Sequence, residues 1–253
     1  MKSRFLRKFL RLREVRAVIE CQDIDGVYEM LHKCGVDNML ATPRRVGEVT
    51  EYLLQTMSVD ELLSKVTKIA DWMFDCIKMP SKVFIPKNIK KLGVGCFSYC
   101  KGVEKVMFES GCNVEKIDCW TFEACEDLKV LDLGNCLQLR EICSEAVKHC
   151  TNLTDIILPQ SLERIDGFDH CINLKNIVLP SKIVCIGGGA FWNCTGLKSI
   201  TIPAGVKTIG HSAFCNCTSL KDVYFDGSKE QLEKIHIGEE NEFFKKANFH
   251  FAK

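Results

Sequence analysis

The chain has 253 residues, 46% of them apolar, and a net charge of +1. That length can bury a sizeable core, and the balanced charge gives no global pull toward nucleic acid or membrane. Sixteen cysteines in a chain this long do not make a disulfide scaffold, and no apolar run suits a signal peptide or a membrane span, so the sequence predicts a cytoplasmic protein with reduced thiols.

In chain order, residues 1–80 are expected to form an α-helical domain or cap. Phe5, Leu6, Phe9, Leu10 and Leu12 make an apolar stripe at helical spacing, with Arg4, Arg7, Lys8 and Arg11 largely off it. Seven basic residues against one acidic in the first 16 make this face a possible electrostatic contact for an acidic protein, RNA or membrane surface. A solvated helix face is the simpler account of it, and a mitochondrial transit peptide has the same composition. Asp23 or Asp25 can cap a helix through "VYEMLHKC", which Gly35 would end. Thr42-Pro43 opens another, and Ser58 with Glu61 forms a capping box before "LLSKVTKIADWMFDCIKM", the expected fourth helix. Pro80 marks the passage out of it.

Residues 81–225 repeat themselves. "AFWNCTGLKSITIP" at 190–203 returns as "AFCNCTSLKDVYF" at 213–225, and four earlier stretches share its phase. One column of the alignment holds Phe97, Phe122, Val147, Phe168, Phe191 and Phe214. Three residues after each stands cysteine: Cys100, Cys125, Cys150, Cys171, Cys194 and Cys217. Each unit is too short to close a core alone, so neighbours must stack, and the alternating segment Leu-x-x-Ile-x-Ile-Pro reads as a strand ended by Pro159, Pro180 or Pro203. A cysteine that recurs with the repeat is small enough for a tight interior turn. Neither Cys96 with Cys100 nor Cys215 with Cys217 has the spacing of a zinc knuckle, and Gly187–Gly189 lacks the Lys-Ser/Thr of a phosphate loop. The histidines show no metal-binding spacing and no nucleophile elbow occurs, so the sequence predicts no catalytic residues, cofactor or metal.

The A-F-x-x-C-x-x-L-x-x-I units resemble the BspA-type leucine-rich repeats, and the ending "VYFDGSKEQLEKIHIGEENEFFKKANFHF" is similar to the cap that closes such arrays in bacterial proteins. The resemblance implies an α+β protein: a parallel leucine-rich-repeat solenoid of about six repeats over 81–225, an α-helical N-terminal segment over 1–80, and a C-terminal helix-strand cap over 226–253. It implies a binding scaffold with no catalytic residues to carry over.

Alternation in the strands places Phe84, Met107, Asp132, Ile157, Val178, Thr201 and Tyr224 on the outer side of the sheet. A flanking column holds Glu104, Lys129, Thr154, Lys175, Lys198 and Lys221. Apolar anchors edged by lysine suit a protein interface, although the N-terminal helices could instead fold over this face. The expectation is a non-enzymatic protein-interaction module: an intracellular inhibitor or adaptor of a larger protein or complex, such as a phage or mobile element would direct at host defence. The alternatives are a cell-surface adhesin of the BspA type and a nucleic-acid-associated protein using the basic N-terminus.

Overall fold

The computed structural model describes residues 4–10, 23–33 and 42–252. Its core is organised by a column of stacked side chains, one per turn of chain. Phe97 lies between Phe74 and Phe122 with ring centroids 5.2 and 5.4 Å away. Phe168, Phe191, Phe214 and Phe244 continue at 5.7, 5.4 and 4.9 Å. Val147, fully buried, fills the rung between the two aromatic runs. Offset stacking adds modestly to the area these rings bury, which supplies most of the stabilisation.

Every turn contributes a strand to each of two parallel stacks. In the first, β2 (Lys82–Ile85), β4 (Lys105–Phe108), β6 (Val130–Asp132) and β8 (Asp155–Ile157) form one sheet. The sheet of β10 (Asn176–Val178), β12 (Ser199–Ile202), β14 (Asp222–Phe225) and β16 (Asn248–Phe251) continues it. The second stack runs from the pair β1 (Lys68–Ile69) and β3 (Lys91–Leu92) to six two-residue strands. These are β5 (Lys116–Ile117), β7 (Glu141–Ile142), β9 (Arg164–Ile165), β11 (Cys185–Ile186), β13 (Thr208–Ile209) and β15 (His236–Ile237). The result is the expected parallel solenoid, with about eight turns.

The ladder cysteines are buried, and their repetition has a specific cause. Each thiol donates a hydrogen bond to the carbonyl of the column residue one turn earlier. Cys100 reaches Phe74 at 3.1 Å, Cys125 reaches Phe97 at 3.0 Å and Cys150 reaches Phe122 at 3.0 Å. Cys171 reaches Val147 at 3.3 Å, Cys194 reaches Phe168 at 3.0 Å and Cys217 reaches Phe191 at 3.1 Å. A small side chain with a weak donor thus fills the turn and satisfies an interior acceptor.

At the N-terminal end the helices are α1 (Arg4–Phe9), α2 (Ile24–Lys33), α3 (Thr42–Leu53) and α4 (Val59–Ser64). Leu6 and Phe9 bury the expected stripe of α1. Asp23 is the residue that caps α2, its Oδ1 accepting from Gly26 N at 2.9 Å, and Ser58 caps α4 through Glu61 N at 3.1 Å. Gly35 and Leu12 lie outside the described residues.

The fourth helix is shorter than the sequence predicts. It ends at Ser64, and the expected helical residues beyond it form the first solenoid turn, with β1 pairing β3 and Phe74 entering the aromatic column. Ile69, Met73, Phe74 and Ile77 recur at spacings that satisfy a helix face and a repeat turn equally, and the neighbouring turn decides between them. Asp25 of α2 receives Thr67 N and Thr67 Oγ1 at 3.0 and 2.6 Å, which seats α2 on this turn, and Asn88 Nδ2 of the next turn donates to Leu63 O of α4 and to Val66 O. Buried Tyr28 joins α2 to α3 by a 2.7 Å hydrogen bond to Thr50 Oγ1.

The opposite end closes with α5 (Lys229–Leu232), β15, α6 (Glu242–Lys245) and β16. Ser228 and Gln231 complete a capping box on α5. Phe191 N donates to the carbonyl of Ala213 on the next turn at 2.8 Å, whereas Phe214 N finds the side chain of Asn241 at 2.9 Å. Asn241 Nδ2 in turn donates to Gly210 O and Gly238 O, both at 2.9 Å. A single fully buried side chain therefore stands in for the backbone of the missing next repeat.

Candidate functional site

The strands of the first stack bury alternate residues and expose those between. In β2, Val83 and Ile85 are buried while Phe84 is 46% exposed. The same alternation leaves Ile157, Val178 and Tyr224 exposed at 49%, 70% and 45%. Met107, Asp132 and Thr201 are half-buried. Strand register aligns Phe84 with Met107, Met107 with Asp132 and Asp132 with Ile157. Farther along it aligns Val178 with Thr201, Thr201 with Tyr224, and Tyr224 with His250.

His250 belongs to this column and escaped the sequence reading. Its ring stacks on Tyr224 at 4.7 Å, and its Nε2 lies 2.8 Å from Asp222 Oδ1. That hydrogen bond holds the Asp222 carboxyl below its usual range. The signal was present in "VYF" and "NFHF", whose Tyr224-Phe225 and His250-Phe251 align once β16 is recognised as a further rung.

Lys129, Lys175, Lys198 and Lys221 are all exposed. Lys129 pairs with Glu104 at 3.0 Å. Lys198 N donates to Lys175 O at 2.7 Å and Lys221 N to Lys198 O at 2.9 Å, so the other three occupy consecutive rungs. None of these three makes an ion pair with a described residue. Three like charges one strand apart raise the local positive potential along the edge of the apolar column.

Among the described residues, the N-terminal helices seat on the first turn and leave these outer side chains open to solvent. Arg4, Arg7 and Lys8 lie on α1, with Arg7 exposed. Arg11 lies outside the described residues. No helix among the described residues is long and apolar enough to cross a membrane.

A rigid parallel solenoid that presents a stripe of side chains from successive strands is the architecture of a leucine-rich-repeat protein. The model of the BspA type leucine rich repeat region matches residues 48–167 and 140–246, with six copies, and the chain belongs to that family. No match was found among curated proteins. Among solved structures, the chain is similar to a leucine rich cell surface protein from Faecalibacterium prausnitzii. The identity is 25% over 68% of this chain and 54% of that one, with a TM-score of 0.50. It is also similar to a leucine-rich repeat protein from Eubacterium ventriosum, 24% identical over 70% of this chain and 45% of that one, with a TM-score of 0.55. The chain thus spans about half the length of these solved proteins. Leucine-rich-repeat proteins are in general protein-interaction modules and cell-surface proteins, and their fold is typically non-enzymatic.

Proposed function

We propose that this chain is a non-enzymatic scaffold that binds a larger protein through the outer face of its first strand stack. The observation that carries the reading is the exposed column of Phe84, Ile157, Val178 and Tyr224, edged by the row Lys175, Lys198 and Lys221. Apolar and aromatic side chains spaced along one strand stack supply anchors at low entropic cost, and the lysine row selects a partner with an acidic rim. Adaptor or inhibitor action follows from occupying the partner's surface.

Capture from native lysate by the wild-type chain and by an I157E/V178E/Y224E variant tests the reading. The expected result is a protein held by the wild type, released by moderate salt, and lost by the variant without a change in melting temperature. Equal capture by both would move the site elsewhere. The similarity to a cell-surface protein favours a second reading, an adhesin on a bacterial surface. Fractionation of native cells separates the two, since an adhesin partitions with the envelope.

A further inference from the structure

The second strand stack carries an irregularity in its repeat. The residue after the inward apolar position is glycine at Gly93, Gly187, Gly210 and Gly238, but Asp118, Cys143 and Asp166 at three consecutive turns between them. β5 and β7 pair with Ile117 beside Ile142, and Cys143 N donates to Ile117 O at 3.0 Å, so Asp118 and Cys143 follow directly on neighbouring strands. Cys119 is next in the chain, and its amide donates to Asp118 Oδ1 at 3.1 Å. A carboxylate oxygen of Asp118 and the Sγ atoms of Cys119 and Cys143 all lie within 4.8 Å of one another.

We propose that Asp118, Cys119 and Cys143 bind a zinc-class transition metal ion, with a fourth coordination position open to the adjoining groove. Two thiolates and a carboxylate form a borderline-soft donor set that suits Zn2+ over Mg2+ or Ca2+. Tetrahedral zinc, about 2.3 Å from sulfur and about 2.0–2.2 Å from oxygen, sets its donors roughly 3.5–3.8 Å apart. Side-chain rotation of about 1 Å closes the trio around an ion. The groove, of about 290 Å3, is lined by Cys119, Glu141, Cys143, Arg164, Asp166 and Cys185, and it gives the ion a path from solvent and room for a water ligand. Gly187 forms part of its wall, where an added Cβ would collide with the Asp166 carboxylate.

Charge is balanced locally. Zn2+ with two thiolates and one carboxylate carries a net charge of −1, and the Lys116 ammonium, 3.5 Å from Asp118 Oδ1 and against Cys143, offsets it. Such an ion would tie two consecutive turns together across 24 residues of sequence, counted from Cys119 to Cys143. It sits on the second stack, so it stands or falls independently of the binding face on the first.

The test titrates the full chain, reduced with a phosphine and stripped by a chelator, with Co2+ alone. One equivalent should bind with thiolate-to-cobalt absorption in the near ultraviolet and visible bands of tetrahedral coordination, and Zn2+ should displace it. Cys143→Ser and Cys119→Ser should each weaken binding by about a hundredfold or more, since losing an outer-shell partner alone costs about 10–100-fold. Asp118→Asn should weaken binding while keeping the charge-transfer band, and Cys185→Ser should leave it unchanged. If buried Cys143→Ser fails to fold, the partly exposed Cys119 and Asp118 positions still decide the question. A stripped chain that develops no stoichiometric cobalt spectrum overturns the proposal. So does a spectrum unaltered in Cys119→Ser, which would place the ion on other thiols.

Discussion

Cys194 Sγ donates to the carbonyl oxygen of Phe168, 3.0 Å away and 26 residues earlier in the chain. Cys194→Ala should cost about 1–3 kcal/mol, combining the lost hydrogen bond with the small void left by sulfur. Urea denaturation of the two proteins measures it. A variant as stable as the wild type would show that the bond contributes nothing.

Burial pushes the thiols of Cys100, Cys150, Cys171 and Cys194 well up from their usual range, and that of Cys217 up to about 12. Both concealment and protonation suppress their reactivity. Maleimide labelling followed by mass spectrometry should modify exposed Cys76 in the native protein and reach the ladder cysteines only after denaturation. Rapid native labelling of Cys194 or Cys217 would contradict the packing described.

Asn241 satisfies the last open rung, so Asn241→Ala would strand the Phe214 amide and the carbonyls of Gly210 and Gly238. At about 1–3 kcal/mol for each buried group left unpaired, the loss should exceed about 2 kcal/mol. Removing residues 226–253 goes further, because it bares Phe214, Val223 and Phe225 to water, and aggregation is expected. A soluble, cooperatively melting truncation, seen by light scattering and calorimetry, would show that the tail is dispensable.

Face and core substitutions should separate cleanly. Leu197→Ala and Ile200→Ala, both at fully buried positions, should each cost about 2–5 kcal/mol. Met107→Glu and Tyr224→Glu should barely shift the melting temperature while weakening partner binding. Large stability losses in the second pair would mean that these residues belong to the core.

The His149 and His170 rings lie 4.2 Å apart between centroids. Burial first, and His170 second, lower the pKa of His149, while Asp169 and Glu126 raise it and Lys148 lowers it further. A depressed folded pKa means the unfolded chain takes up the proton first, so this contribution is present above about pH 6.5 and is lost as pH falls below it. The melting temperature of His149→Gln, followed from pH 7.5 to 5.5, should fall less than that of the wild type. Parallel curves would exclude the linkage.

The repeat was legible because stacking forces chemically equivalent residues to recur. Phe97, Phe122, Phe168, Phe191 and Phe214, each with a cysteine three residues on, specify a column of rings, and Val147 continues the column with a smaller apolar side chain. Strand alternation likewise places Phe84, Ile157, Val178 and Tyr224 outward. Three things were decided only by contacts between turns. Residues 65–79 carry a spacing that suits a helix as well as a turn, and pairing of β1 with β3 selected the turn. Asn241 looks like any loop asparagine until the open Phe214 amide faces it. Asp118 and Cys143 are distant in sequence and match no local ligand motif, yet strand register makes them neighbours. Periodicity reports what every turn shares, whereas a cap or a site arises from departures whose partners lie a full turn away, and only the stacked chain brings those together.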